Sequence, residues 1–324
     1  MVLLIYDGYQ AKKFPANHLK LIDYKLAKLS DINLLALLCW QVELGITDQR
    51  RFYRQLISLG FSDLPERSRF CRLSVRAGTI LKLIRNGLIK TVIPKPRYTI
   101  IDSFPMPVCH PIRNHRAKRF KPIANIGFNA TKKQWYYGFK GSFEVTDQGI
   151  AVAYTITPAS VHDINMVQTL VDQYVCPYIL ADVGYLGKSL KYMLADDGIG
   201  FWTPLRRSML HGRVNDQLLK RDRRYIETVF SQWGDRFNLE RNRAHSLEGF
   251  QTRIEQCLLV DRWIPLRKST STKRTSIVQK NLVPISLKSK NYAKDMAALY
   301  IPSTQIRLYY GLVIVKSMVT SIVL

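Results

Sequence analysis

Three carboxylates stand out by where they sit. Asp102 follows the apolar run "YTII", Asp182 follows "YILA", and Glu227 lies in "RDRRYIETVFSQW", a single acid set behind Arg221, Asp222, Arg223 and Arg224. Eighty residues separate the first pair and 45 the second. Carboxylates delivered by separate elements can converge on two Mg²⁺ ions. Magnesium is a hard cation that takes oxygen ligands and keeps waters, so a few carboxylates and a substrate phosphate suffice. Two such ions, roughly 3.5 to 4 Å apart, stabilise the attacking and leaving oxygens of an in-line phosphoryl displacement. That chemistry needs no nucleophilic side chain and no histidine base. Each acid also has a plainer reading. An aspartate after a strand serves as a turn or cap, and Arg223, four residues before Glu227, offers an ordinary helical ion pair worth a few tenths of a kcal/mol.

Charge points to the substrate such a centre would take. The chain of 324 residues carries 49 Lys and Arg against 24 Asp and Glu, a net charge of +25. That surplus favours a polyanionic partner, because each neutralised phosphate releases condensed counterions. Nucleic acid is the usual one and an anionic membrane surface the rival. A hydrophobic fraction of 47% excludes general disorder. Cys39, Cys71, Cys109, Cys176 and Cys257 form no CxxC pair, and they read as reduced thiols of a cytosolic protein. Cys109, His110 and His115 lack a fourth ligand at zinc-like spacing. The apolar run at the start precedes its charges, the reverse of a secretory signal. The C-terminal "LYYGLVIVKSMVTSIVL" is interrupted by Lys316 and Ser317, so no membrane span is expected.

The elements that must position the acids follow from periodicity. Three helices are expected in the first third. One is capped by Ser30 or Asp31 and stops at Gly45; one is capped by Thr47 and stops at Gly60; a longer one follows Pro65. They carry Arg50, Arg51, Arg54, Arg67, Arg69, Arg72 and Arg76, either a helix-turn-helix-like DNA-binding unit or a solvated basic face. "VIPKPRYTI" marks a boundary, after which strands begin. In "WYYGFKGSFEV", Trp135, Tyr137, Phe139, Phe143 and Val145 fall on one face, Lys140, Ser142 and Glu144 on the other. "IAVAYTIT" continues as the hairpin partner. A helix over "SVHDINMVQTLVDQY", a buried strand over "YILADVGY", a helix ending near Gly198 and a strand "IGFWTP" complete a mixed α/β sheet flanked by helices. In such sheets, sites form at the carboxyl edge. Ile226, Val229, Phe230 and Trp233 make the buried stripe of the helix bearing Glu227. Asp163 is expected to cap a helix.

The stretches "IDSFPMPV", "ILADVGYLG" and "RRYIETVFSQW" running into "LERNRAHSLEGFQTRI" together resemble the DDE transposases of bacterial insertion sequences. The resemblance covers roughly residues 30–260. It implies a ribonuclease H-like catalytic core in which Asp102, Asp182 and Glu227 ligate two Mg²⁺ ions, with Mn²⁺ able to substitute, to cut element ends and join them to target DNA. It departs from one subgroup signature: Arg223 occupies the Arg place before the glutamate, but Lys220 and Gly234 stand where that signature has Tyr and Lys.

Residues 1–95 are thus expected to form a helical, DNA-binding domain, 96–262 the catalytic domain, and 263–324 a basic linker and atypical tail without a catalytic share. Arg113, Arg116, Lys118, Arg119, Arg206, Arg207, Lys220 and Arg223 are candidate DNA contacts. Double-stranded DNA (terminal inverted repeats and target) is the expected partner, with a homodimer or larger assembly on it and a cytoplasmic, nucleoid-associated location. Two other readings stay open: a metal-dependent nuclease of the same fold without strand transfer, and a non-catalytic DNA-binding regulator.

Overall fold

The computed structural model describes residues 29–118, 120–130, 132–206 and 217–261. The readings for the tail after residue 262, and those for Arg119 and Arg207, lie outside the described residues.

Helix α1 (Asp31–Glu43) starts where the Ser30 hydroxyl accepts the Asn33 N–H at 3.2 Å. Past its end, Gly45 turns the chain out with φ +65°, a conformation that costs a residue lacking Cβ least. Helix α2 (Gln49–Ser58) is capped by Asp48, whose Oδ1 accepts from Arg51 N at 2.6 Å, one residue after the expected Thr47. Its buried residues, Phe52 and Leu56, are one turn apart, leaving Arg50, Arg51 and Arg54 exposed. Helix α3 (Arg67–Val92) buries Phe70, Leu73, Ala77, Leu81, Ile84 and Leu88 at three- and four-residue spacing against α1 and α2.

Six strands follow: β1 (Thr99–Cys109), β2 (Asn125–Asn129), β3 (Gln134–Thr146), β4 (Ala151–Pro158), β5 (Tyr178–Ala181) and β6 (Gly200–Trp202). They form one mixed sheet in the order β4–β3–β1–β5–β6. The first three of these are antiparallel neighbours, and β5 and β6 run parallel to β1. This is the strand order of the ribonuclease H-like core. Strand β2 is an addition. It lies on the same edge of β3 as β4, pairing residues 134–138 while β4 pairs 139–145.

Both faces of the sheet are covered. On one lie α4 (Val167–Val171) and α5 (Lys188–Asp196), burying Val167, Leu170, Leu190 and Leu194 against Ile101, Ile179 and Ala181. On the other lie α7 (Tyr225–Phe237) and α8 (residues 247–261), which bury Ile226, Trp233, Phe250 and Ile254 against Ile100, Phe139 and Phe143. The alternation in β3 therefore misleads. Ser142 and Glu144, expected on a polar face, are fully buried, and Trp135, expected with the apolar set, is 61% exposed because it lies beyond the helices' cover.

Helix α8 also joins the sheet to the N-terminal helices. Leu259 belongs to the core of α1–α3. Thr252 Oγ1 donates to Val75 O at 2.9 Å, and at Gly78 a Cβ would collide with Thr252, so α3 and α8 touch closely there. The buried Arg85 guanidinium pairs with Glu255 at 2.7 Å and reaches the Ala151 and Val152 carbonyls of β4. No helix among the described residues is long and apolar enough to cross a membrane.

Candidate active site

The first two acids are brought together by a fork in the sheet. β5 pairs with β1 only through Thr99–Ile179, Ile100–Leu180 and Ile101–Ala181, and then ends. Asp182 is the next residue, opening the 3₁₀ turn Val183–Tyr185 without spending its side chain on a cap. Asp102 is the residue after Ile101 on the neighbouring strand. The two therefore stand side by side at the carboxyl end of a parallel pair, where backbones diverge and side chains are free to meet a ligand. Strand β1 does not stop at Asp102; it continues to Cys109 against β3.

Glu227 is carried in by helix packing. Ile226, Val229, Trp233 and Phe237 are buried, and Phe230 reaches Phe104 of β1 and Phe143 of β3 at ring-centroid distances of 4.8 and 5.9 Å. Trp233 packs on Phe143 at 5.2 Å and donates its indole N–H to Asp261 at 3.2 Å, tying α7 to α8. This aromatic seat fixes the first turn of α7, and with it Glu227.

Between α7 and α6 (Gln217–Arg223) the chain breaks at Arg224, and Arg223 turns inward. Its Nη1 lies 3.2 Å from Asp182 Oδ1 and 3.6 Å from Asp102 Oδ2, while Nη2 donates to Glu227 Oε1. Three carboxylates from β1, the end of β5 and α7 thus converge on one guanidinium, whose side chain is only 11% exposed. The i, i+4 pair read from the sequence is present, but as one arm of a four-residue cluster. Arg223, a candidate phosphate contact, faces acids here.

Burial pushes the Asp102 carboxyl up to about 7, against the Ser103 N–H and Arg223, which favour its charge, and with Asp182 and Asp163 adding to the rise. A second ring of polar groups backs it. Ser103 N donates to Asp102 Oδ1 at 2.8 Å; Ser103 Oγ donates to Asp163 Oδ1 at 3.0 Å; Lys140 Nζ pairs with the same oxygen at 2.9 Å. The buried Tyr185 phenol, held well above its ordinary pKa by burial and by these acids, lies beside them. Sequence reasoning passed over Lys140 and Asp163, placing one on the polar face of a strand and the other at a helix cap. No local signal marks them: Lys140 lies on β3, which pairs with β1, and Asp163 opens a 3₁₀ helix after β4.

Of the other candidate DNA contacts, Arg113 and Arg116 are exposed on the 3₁₀ helix Pro111–Arg116, and Lys118 is exposed just after it. They follow the far end of β1, which at about 3.3 Å per residue lies about 23 Å from Asp102. Arg206 and Lys220 are also exposed. A polar recess of about 580 Å³, lined by Tyr98, Arg221, Arg224, Tyr225 and Thr228, opens directly on Glu227.

The donor set fits a divalent cation. It offers three carboxylates, the hard oxygen ligands such an ion takes, gathered around one guanidinium, with Asp102 and Asp182 at Nη1 and Glu227 at Nη2. With Arg223 between them, no three acidic, His or Cys side chains among the described residues are close enough to hold a metal as they stand.

Comparison with known proteins bears on this arrangement. Residues 95–247 match the family described as Transposase DDE domain. Among solved structures, the chain is similar to a piggyBac transposase synaptic complex with hairpin DNA determined by cryo-EM. That similarity has 10% identity and a TM-score of 0.39, covering 94% of this chain and 88% of that chain. No curated protein matches. The family match spans β1 to the residue where α8 begins, and so includes all three acids: over residues 95–247 this chain is similar to a transposase DDE domain.

Proposed function

We propose that the protein is a metal-dependent DNA transposase that cleaves element ends and joins them to target DNA, with Asp102, Asp182 and Glu227 as its catalytic acids. The observation that carries this reading is their convergence, from three separate elements of a DDE domain, on a single cation. Two Mg²⁺ ions held there, or Mn²⁺ in their place, would supply Lewis-acid charge to the attacking and leaving oxygens. Asp102 and Asp182 provide ligands from the rigid sheet edge, and Glu227 completes the set from α7. Arg223 is the internal counter-charge of the free protein. Once a phosphate is present, its guanidinium can turn to the substrate, which suits its planar fork.

In the first step water displaces the 3′ oxygen at the element end, breaking one P–O bond as another forms and freeing a 3′-hydroxyl. In the second step that hydroxyl displaces a 3′ oxygen of the target strand in the same way, so bonds balance and no external energy source is needed. The exposed arginines of α2 and α3, with Arg113, Arg116, Lys118, Arg206 and Lys220, supply phosphate contacts. Two ends must be held together, so a dimer or larger assembly on DNA follows, and residues 1–95 act as an end-binding domain.

The test is incubation with duplexes ending in candidate inverted repeats plus a supercoiled target, in Mg²⁺ or in EDTA. Joined products that vanish with EDTA and with Asp182→Ala support the proposal. Cleavage without joining would identify a nuclease. Binding without any cleavage would leave a regulator and sink the catalytic assignment.

A further inference from the structure

The β2–β3 hairpin carries an exposed aromatic pair for which the catalytic reading has no use. Phe128 and Trp135 are direct cross-strand partners, with ring centroids 5.1 Å apart and planes tilted by 54°. They are 50% and 61% exposed, and Ile126, which lines the same recess as Trp135, is 39% exposed. The hairpin needs none of this apolar surface for its own seat. Its opposite face is the one that docks, with Gly127 pressed against Ala159 so closely that a Cβ would lie 2.7 Å from the Ala159 carbonyl oxygen. Trp135 borders a shallow recess of about 540 Å³ lined by His110, Pro111, Ile126, Lys133 and Gln134.

The chemistry of the surroundings selects the occupant. From Ser103 to Phe143 the sequence contains eight Lys and Arg and not one Asp or Glu. Of these, Arg113, Arg116, Lys118, Lys121 and Lys133 are exposed on the segments flanking the rings. A second copy of this chain docking through the same face would press two such cationic surfaces together, which like-charge repulsion opposes. Aromatic rings set in a cationic field are instead the elements of a single-stranded nucleic-acid site: the charges track the backbone while the rings stack on bases of any sequence.

We propose that Phe128 and Trp135 form a stacking platform for an unpaired nucleobase of bound DNA, with Arg113, Arg116 and Lys133 holding the adjoining phosphates. The platform lies far from the acids. Trp135 is eight residues along β3 from Phe143, the partner of Asp102, hence about 26 Å away. It therefore grips a separate part of the same DNA, away from the scissile phosphate. The proposal rests on the reading of the chain as a DNA-binding protein, and the experiment separates the two.

The full-length protein is titrated, at one fixed salt concentration, with a fluorescent duplex and with the same duplex bearing a short single-stranded tail containing 2-aminopurine. The expected result is that the tail tightens binding and its 2-aminopurine is quenched on binding. Trp135→Ala should weaken tailed-DNA binding about tenfold, the scale of removing one base–aromatic stack, and leave the blunt duplex unchanged. Trp135→Phe should restore most of the affinity. Arg113→Ala/Arg116→Ala should weaken both DNAs. Equal binding of tailed DNA by Trp135→Ala and wild type would overturn the platform while leaving DNA binding intact. No binding of either DNA by the wild type would overturn the DNA-binding reading itself. Conversion of an oligomer to a monomer by Trp135→Ala, with DNA affinity unchanged, would assign the face to a second copy instead and overturn the proposal.

Discussion

Replacing Glu144 with glutamine should make the protein more stable at pH 8 to 9 and leave it unchanged near pH 4.5. Glu144 is fully buried in β3; one carboxyl oxygen accepts the Thr99 hydroxyl at 2.7 Å and the other has no hydrogen-bond partner among the described residues. Burial raises its pKa to about 8 from an ordinary 4.5, with the Thr99 hydrogen bond opposing the rise. Between those values the folded protein keeps a proton that the unfolded chain releases. Stability therefore falls as pH rises: the contribution is fully present below about 4.5 and lost once pH passes about 8. At about 1.4 kcal/mol per unit, the loss is on the order of 5 kcal/mol across the window. Glutamine keeps the shape and the acceptor for Thr99 but never ionises. Urea unfolding of both proteins at half-unit pH steps isolates the effect, because the elevated Asp102 carboxyl is common to both and cancels in the difference. The two stability curves should meet near pH 4.5 and part steadily above pH 5. Parallel curves across that range would refute the reasoning.

Arg85→Met should cost about 3 to 5 kcal/mol by stranding the buried Glu255 carboxylate, whereas Arg85→Met with Glu255→Leu should recover most of that stability, as read from denaturant midpoints. Gly234→Ala should stabilise by about 0.5 to 1 kcal/mol, since a Cβ there meets open space and the helix interior disfavours glycine; the melting temperature reports it. Arg223→Gln should destabilise the metal-free protein by about 1 to 3 kcal/mol by leaving three acids without their shared donor. Mg²⁺ should restore more stability to that variant than it adds to the wild type, measured by thermal unfolding. Alanine at Arg113, Arg116 and Lys118 should flatten the dependence of log K on log salt for DNA binding, by roughly 0.9 for each phosphate no longer neutralised.

The helices were legible because their punctuation is local. Ser30, Gly45, Gly60 and Gly198 mark ends in both the sequence and the fold, since a cap or a positive φ depends on only a few neighbouring residues. The buried stripe of α7 was legible for the same reason. The length of β1 was not, because Pro105 and Pro107 read as strand breakers. They are tolerated because β5 stops at Ala181, leaving β1 with a free edge that needs no N–H from them. The buried polar face of β3 was hidden because alternation reports chemistry and not what covers it. The roles of Arg223, Lys140 and Asp163 depend on where long side chains meet across elements up to 121 residues apart in sequence, which no local pattern encodes.

Helix α8 is the last described element of the chain, yet it closes both hydrophobic cores: Phe250, Ile254 and Cys257 fill the sheet's outer face, and Leu259 completes the core of α1–α3. During synthesis the N-terminal helices must therefore wait, with apolar surface uncovered, until residues some 170 positions downstream of Arg85 have been made. Folding of this protein is a closing of distant ends, slow by the entropy of so large a loop. A fragment trimmed to residues 95–247 would keep Asp102, Asp182 and Glu227 and still lack the helix that lets the sheet hold its shape.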